Sequence, residues 1–519
     1  MLDRHEVLAE EEFFPLAAAR AKRHELAAFR RKLRALGYSE DAITRTLGIE
    51  GPYALTRLGR ELWSRYVIPG NEPLSVLIRL FLLCLSEPEP LVREVLGEGD
   101  LQLLRDLRLL SSDGPGRLRS PIGLYPVGPL LVATDWWREP KDGPNTSPNR
   151  VMPLGRDSYG LARLIPSFAG EAAVDLCTGS GVAALNAAMR FDRVVGVDVN
   201  PRAINFARFN ALLNDMDNCS FEQGDLYGPV GGLRFDTITA NPPFVPVPGS
   251  TELLYRDGGP SGEDVLREIV AGCSAHLKEH GECLIVTDMV EHRGTSYEEK
   301  LTRWLGTDSG FTAAVLKRPA ETIYQYASTH LSHTAPFGVS PAMFEWIDHY
   351  LAEGIEEVAR GYIAIRRSDR PGTRIMTVPI ERAIGRDVGT GVVEELLRRV
   401  EAVSSHHVSE LNFAPRFHPG NVQLLPEGAD LTQVTLPYLV VSGLQAAARP
   451  DGTISLDALL AAFREAGHEV GPRRREDLEH ILRQLYVSGY LDPVPAESGE
   501  GPTTRVGEHE AAMKMWWSR

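Results

Sequence analysis

The stretch that most limits what this chain can fold into is Val174-Asp175-Leu176-Cys177-Thr178-Gly179-Ser180-Gly181, with the helix-like run Val182-Ala183-Ala184-Leu185-Asn186-Ala187-Ala188 directly behind it. A strand that ends in a glycine-rich turn and re-enters a helix lets a ligand approach bare backbone, as in nucleotide-binding α/β folds. The third glycine of a dinucleotide fingerprint is missing. A second strand-like run, Arg193-Val194-Val195-Gly196-Val197-Asp198, ends in an acid 19 residues after Gly179. A carboxylate at that spacing can accept both ribose hydroxyls of an adenosine. A third run, Cys219-Ser220-Phe221-Glu222-Gln223, ends at Gly224-Asp225-Leu226, which puts Asp225 in place for an adenine amine.

The fourth strand-like run, Phe235-Asp236-Thr237-Ile238-Thr239-Ala240, is followed by Asn241-Pro242-Pro243-Phe244. A planar nitrogen, in an amide or a nucleobase amine, is a poor nucleophile because its lone pair is delocalised. Two acceptors on its N–H groups, the Asn241 side-chain oxygen and a carbonyl of the proline segment, hold it and favour pyramidalisation. Prolines fix φ and donate no N–H, so their carbonyls are available to the site. The Phe244 ring offers a stacking face that tolerates a passing positive charge. Taken alone, the tetrad also reads as a proline-rich turn leaving a strand. Four strand ends in this order, with acids at the second and third, favour the chemical reading.

These residues resemble the class I S-adenosylmethionine-dependent methyltransferases, in the branch that carries an Asn-Pro-Pro-Tyr/Phe motif. That branch includes the release-factor glutamine methyltransferases, the small-domain rRNA guanine-N2 methyltransferases and the adenine-N6 methyltransferases. The resemblance covers residues 146–370 and implies a Rossmann-like seven-stranded α/β core. It implies S-adenosylmethionine as cofactor, with Asp175, Thr178, Gly179, Gly181, Asp198, Asp225, Leu226 and Asn241 around it and no metal. It implies Asn241, Pro242 and Phe244 as the residues that orient and wall the acceptor nitrogen. The loop Tyr255-Arg256-Asp257-Gly258-Gly259-Pro260-Ser261-Gly262 is similar to one that follows the tetrad in the glutamine group. Two positions depart from that group: Phe244 stands where Tyr is usual, and Thr239 where the strand is usually apolar. The resemblance places Val151–Tyr159 as a lid on the methionine end of the cofactor, and helix capping is the expected role of Asp157 or Ser158.

At 519 residues one core is too few, and three domains are expected: 1–145, 146–370 and 371–519. The first is mainly helical, with a stripe of Leu26, Phe29, Leu33 and Leu36 stopped at Gly37, a Ser39 N-cap, and a β-rich end from Gly116 to Trp136. Further helices are expected over Leu55–Val67, Leu74–Leu85 and Leu91–Leu110. The last region repeats a helix–helix–strand outline, so both ends are expected to be winged-helix-like. Residues 141–148 read as a linker. The gap of about 40 residues between the sixth and seventh core strands is far longer than a hairpin needs, so an insertion that walls the substrate is one reading and a packing element the other. His406, His407 and His418 lack a companion acid or Cys at ligand spacing, so no metal is expected.

Net charge is −15, from 55 basic and 70 acidic residues, a balance that disfavours sequence-independent nucleic-acid binding. Arg20, Lys22, Arg23, Arg30, Arg31, Lys32 and Arg34 form a basic surface that keeps a nucleic-acid reading open. No signal peptide or membrane span is apparent, and five unpatterned cysteines suit a cytoplasmic setting. The excess of Arg over Lys and the abundance of Ala suit a high-GC bacterial gene. The expected activity is N-methylation of a planar nitrogen, an amide of a protein, peptide or small molecule. A nucleic-acid base methyltransferase and a non-catalytic scaffold are the alternatives. The oligomeric state cannot be read from the sequence.

Overall fold

The structure is a computed structural model that describes residues 13–57, 59–136, 149–165, 168–249, 255–307, 310–331, 341–379, 391–405, 412–415, 454–465, 471–487 and 491–494. Its contacts divide the chain into two units. One holds Met1–Phe311, Leu316–Thr373 and Pro379–Gly391, and the other holds Thr312–Val315, Arg374–Val378 and Val392–Arg519. Both the expected N-terminal region and most of the expected central domain fall in the first unit. The 141–148 linker, the three histidines and the apolar run at 513–517, which contains Trp516 and Trp517, lie outside the described residues.

In the first unit, α1 (Arg23–Ala35) buries Leu26, Phe29 and Leu33 on one face, and Gly37 turns the chain at φ 83°. Ser39 caps α2 (Glu40–Leu47), its hydroxyl accepting from the Ala42 N–H at 3.3 Å. The helix expected over Leu91–Leu110 is two helices, Glu89–Leu96 and Glu98–Asp106, because Gly97 between them sits at φ 79°. The segment expected as Leu55–Val67 is also broken, into a 3₁₀ turn over Pro52–Arg57 and a π-turn over Trp63–Val67 on either side of Gly59. A hairpin follows, β1 (Gly123–Val127) paired with β2 (Leu130–Thr134), both strands buried throughout.

The core runs α3 (Arg156–Leu164), β3 (Gly170–Leu176), α4 (Val182–Ala187), β4 (Phe191–Asp198), α5 (Pro201–Asn214), β5 (Cys219–Gln223), β6 (Phe235–Ala240), α6 (Asp264–His276), β7 (Leu277–His292), α7 (Ile323–Leu331), α8 (Pro341–Ala352) and β8 (Ile355–Arg367). In the sheet these strands lie in the order β8-β7-β6-β3-β4-β5. All neighbours are parallel except β8, which is antiparallel to β7. The expected sixth strand, Phe311–Lys317, is a strand as well. The chain runs outward from β3 to β5 and returns on the other side at β6. That reversal opens a crevice at the carboxyl ends of β3 and β6, the usual ligand position in such sheets. Leu176 pairs with Val197 and with Ala240, and Asp198 with Gln223, so the four strand ends singled out in the sequence are level with one another.

Helix α5 is buried on almost every side, with only Arg208 and Leu212 reaching solvent. Its outer face is covered by the N-terminal region. Phe14 stacks on Phe209 at 3.8 Å, and the Asn205 side chain exchanges two hydrogen bonds with the Phe14 backbone. One turn apart, Asn210 and Asn214 grip β2 as a neighbouring strand would. The Asn210 amide accepts from the Ala133 N–H at 2.8 Å and donates to the Ala133 carbonyl at 2.9 Å. Asn214 does the same with Leu131, at 3.0 and 2.7 Å. Asn210→Ala strands a buried N–H and a buried carbonyl, each costing on the order of 1–3 kcal/mol. Urea denaturation of that variant is expected to show a loss of about 2–4 kcal/mol, and an unchanged midpoint would mean that the strand is held without the amide.

In the second unit, Asn412–Pro415 is the middle strand of a three-stranded antiparallel sheet, between Ile454–Ser455 and Leu491–Val494. Helices Leu456–Glu465 and Pro472–Val487 follow the helix–helix–strand outline read from the sequence. A further helix, Gly391–Ser405, is tied to them where Arg399 donates to the Tyr486 carbonyl at 2.7 Å.

Candidate active site

The glycine turn is held by Asp175, the buried penultimate residue of β3. Its Oδ2 accepts from the Thr178 hydroxyl at 2.6 Å and the Ala184 N–H at 3.2 Å, and its Oδ1 from the Thr239 hydroxyl at 2.7 Å. One carboxylate therefore joins the turn, the start of α4 and strand β6. Burial pushes its pKa up to about 6 against the pull of these three donors. Thr239, out of place in an apolar strand, has its reason here: it supplies the third donor.

Gly179 sits at φ 54°, and a Cβ there would meet no atom within 4 Å, so its backbone faces open space. Its N–H donates to Asp198 Oδ2 at 2.8 Å, and the Asn200 N–H donates to Asp198 Oδ1 at 2.9 Å. Burial pushes the Asp198 carboxyl above the usual range. Each oxygen still has a lone pair for a ligand hydroxyl. Gly181 lies against Ala207 and Phe221 instead, so its lack of a side chain serves packing. Past β5, Asp225 is half-buried, and buried Leu226 takes φ 42°. Cys177, in the glycine turn, is likewise at positive φ, at 54°. A non-glycine residue in that region marks backbone held by its surroundings.

At the end of β6, Asn241 Nδ2 donates to Asp157 Oδ2 at 3.2 Å. Asp157 does not cap α3, whose N-cap is Gly155 with no side-chain bond. The carboxylate points across to the tetrad because a partner waits there, and the amide it fixes keeps Oδ1 free to accept. After the tetrad, Val245 and Asp257 form a parallel bridge, with Val245 N–H donating to the Arg256 carbonyl and Gly258 N–H to the Val245 carbonyl, both at 3.1 Å. A Cβ on Gly258 would fall 2.9 Å from the Phe244 carbonyl carbon, and one on Gly262 2.7 Å from the Phe244 oxygen. The glycines of this loop are what let it lie directly on the tetrad backbone.

Sequence reasoning left the insertion as either a substrate wall or a packing element, without the partners that seat it. Val245, Val247, Val290, Ile323, Tyr326 and Tyr350 form one buried cluster, with Phe244 and Trp346 packed against it. The Tyr350 hydroxyl donates to the Pro246 carbonyl at 3.2 Å, and His349 Nε2 meets the Pro260 carbonyl at 2.8 Å. It also missed Asp288, buried within β7, which accepts from the Tyr326 hydroxyl at 2.7 Å and is pushed up to about 6 by burial. An acid inside the apolar run Ile285–Val290 was the available signal. Among the described residues no group of acids, histidines and cysteines is placed to hold a metal.

A parallel sheet with an antiparallel neighbour at its far side, a glycine turn on one central strand and a carboxylate on the next defines a nucleoside-cofactor-binding α/β transferase fold. The family described as Methyltransferase small domain matches residues 157–312, and a domain of unknown function matches residues 35–120. A ribosomal protein uL3 glutamine methyltransferase of Bradyrhizobium diazoefficiens is 37% identical over 21% of this chain and 39% of its own length. A protein provisionally assigned as a protein N5-glutamine methyltransferase in Methanocaldococcus jannaschii is 30% identical over 25% of this chain and 68% of its own. A release factor glutamine methyltransferase of Moorella thermoacetica is 33% identical over 25% of this chain and 50% of its own. The chain thus spans from well under half to about two thirds of the curated relatives it matches. It belongs to the class I S-adenosylmethionine-dependent methyltransferases.

The residues present fit that cofactor. The open space at Gly179 admits a ligand against backbone, the Asp198 oxygens have acceptor capacity left, and Asp225 with Leu226 follows just past the end of the next strand.

Proposed function

We propose that the chain transfers the methyl group of S-adenosylmethionine to the side-chain amide nitrogen of a protein glutamine. The carrying observation is Asn241, whose Nδ2 is tied to Asp157 so that Oδ1 remains an acceptor at the end of β6. Asn241 Oδ1 and the Pro242 carbonyl receive the two N–H groups of the acceptor amide, and Phe244 supplies the stacking wall. Gly179 and Gly181 shape the turn over which the cofactor lies, with Asp175 and Thr178 holding that turn. Asp198 takes the ribose, and Asp225 with Leu226 the adenine. When bound, S-adenosylmethionine supplies an electrophilic methyl carbon. Alignment of the nitrogen by the tetrad provides most of the rate, and the proton it loses passes to water. Relatives named as glutamine methyltransferases of uL3 and of release factors support a protein acceptor. The same relatives suit a bacterial, cytoplasmic enzyme, and no described helix is long and apolar enough to cross a membrane.

A nucleic-acid acceptor is less favoured, because the basic N-terminal residues that kept it open have partners within the chain. Lys22 pairs with Asp106 at 2.7 Å, Lys32 with Asp100 at 2.8 Å, and Arg23 with Asp215 and Asp217. Arg30 and Arg34 donate to the Leu213 and Pro129 carbonyls. Most of the basic surface is thus engaged within the protein.

Label transferred from S-adenosylmethionine to a glutamine peptide, and absent when glutamate replaces the glutamine, tests the assignment. Transfer to both peptides would remove the amide from the reaction. A narrower expectation concerns Asp157 as a positioning residue. Asp157→Ala frees the Asn241 amide to rotate, which should lower kcat about tenfold while leaving cofactor affinity nearly unchanged. Asp157→Asn keeps an acceptor oxygen and should restore much of the rate. Equal rates in all three proteins would mean that the bond does not orient the amide.

A further inference from the structure

Helix α8 faces the acceptor loops with one side and solvent with the other. Its inner side is fixed by Tyr350 on the Pro246 carbonyl and His349 on the Pro260 carbonyl. Its outer side carries Phe344, 61% exposed, and Leu351, 58% exposed, seven residues apart and therefore on one face. Two large apolar side chains left in water on a single helix face are a cost without a folding return.

The segment that carries that face has one sign, and the nearest cation against the helix, Arg256, lies over Trp346 on its packed side. From Pro341 to Glu357 the chain has no Lys or Arg, and Glu345, Asp348, Glu353, Glu356 and Glu357 are all exposed. Asp348 falls between the two apolar residues, and Glu345 beside the first. Among the described residues Arg293 is the one cation paired with this set, at Glu356, beyond the helix. A polyanion such as RNA is repelled here. A polypeptide carrying Lys or Arg next to an apolar side chain fits both features.

We propose that the outer face of α8 docks a cationic, apolar-anchored segment of the protein acceptor, and so selects basic polypeptides for the site beneath it. This rests on the glutamine-transfer reading above. A helix is about 10 Å across with its side chains, and extended chain advances about 3.3 Å per residue. An acceptor amide in the site and an anchor on the helix are therefore separated by a few residues of substrate. Affinity comes from Phe344 and Leu351, and selection of sign comes from Glu345 and Asp348.

The test measures binding and transfer separately on the full chain. Fluorescein-labelled peptides with a central glutamine and flanking leucines are made in a lysine-rich and a glutamate-rich version, each long enough to reach from the site to the helix. Anisotropy should show the lysine-rich peptide binding at least about tenfold tighter. Glu345→Lys with Asp348→Lys should erase or reverse the preference, and Phe344→Ser with Leu351→Ser should weaken binding about tenfold. Neither pair should change turnover on a blocked single glutamine, which is too short to reach the helix. Equal binding of both peptides, with glutamine still methylated, overturns the docking surface and leaves the proposed function standing. Charge-selective binding without methylation of any glutamine supports the surface and overturns the function. Loss of both overturns both.

Discussion

Asn241→Ala will lower turnover about 100-fold or more, as expected for losing one preorganised hydrogen bond to the reacting group. The side chain has been prepared for that bond by the structure itself. Its Nδ2 is engaged by Asp157, so the oxygen cannot swap places with the nitrogen without losing a partner. Its backbone is clamped from outside by the Gly258–Gly262 loop lying on Phe244. An alanine therefore leaves the wall and the turn in place and removes only the acceptor. Affinity for the cofactor, measured by calorimetry, should change little. Near-normal turnover would reduce the tetrad to a turn and end the planar-nitrogen mechanism.

Asp198→Ala acts on the other half of the reaction. A carboxylate accepting two ribose hydroxyls contributes on the order of 2–3 kcal/mol, which corresponds to a roughly 30- to 150-fold loss of S-adenosylmethionine affinity. The structure pushes the expectation toward the upper end. Asp198 also holds the N–H of Gly179 and that of Asn200, so its removal loosens the glycine turn as well as the ribose contact. Titration calorimetry on a variant with an unchanged circular dichroism spectrum reads the effect. An unaltered affinity would place the ribose elsewhere.

The strand ends were legible because their chemistry is local. A glycine turn, an acid at a strand terminus and a pair of prolines each announce themselves within a few residues, and the sheet then brings Leu176, Val197 and Ala240 level. What sequence reasoning could not supply was partnership across distance. Thr239 looked like a defect until Asp175, 64 positions away, was found to need its hydroxyl. Asp157 looked like a cap because capping is the common fate of an acid in a first helical turn, and its partner lies 84 positions on. The basic N-terminal helix left a phosphate contact open beside a solvated face because its acids are distant in the chain, Asp215 and Asp217 among them.

The boundary between the first two expected domains has the same cause. A Pro-rich, Gly-containing linker around 141–148 reads as a domain edge, yet α5 needs the N-terminal region to cover Phe206, Phe209 and its asparagines. Little in the α5 sequence says which of its faces will meet the sheet and which the helices, because apolar or amide side chains lie on every side, with Arg202 and Arg208 its charged residues. A chain cut at about residue 146 would expose that face, so stability and cofactor binding are expected to fall together in such a fragment.

Transfer of the methyl group to an amide nitrogen of protein can be read from where the label ends. The full chain should be incubated with methyl-labelled S-adenosylmethionine and a fractionated cell extract. The labelled protein fraction should then be hydrolysed in acid and the volatile amine collected. N-methylated glutamine yields labelled methylamine under these conditions, because the amide bond breaks and the C–N bond to the methyl group does not. The account predicts label in protein that is released as methylamine. Label confined to nucleic acid, or label that stays on an amino acid through hydrolysis, would contradict it.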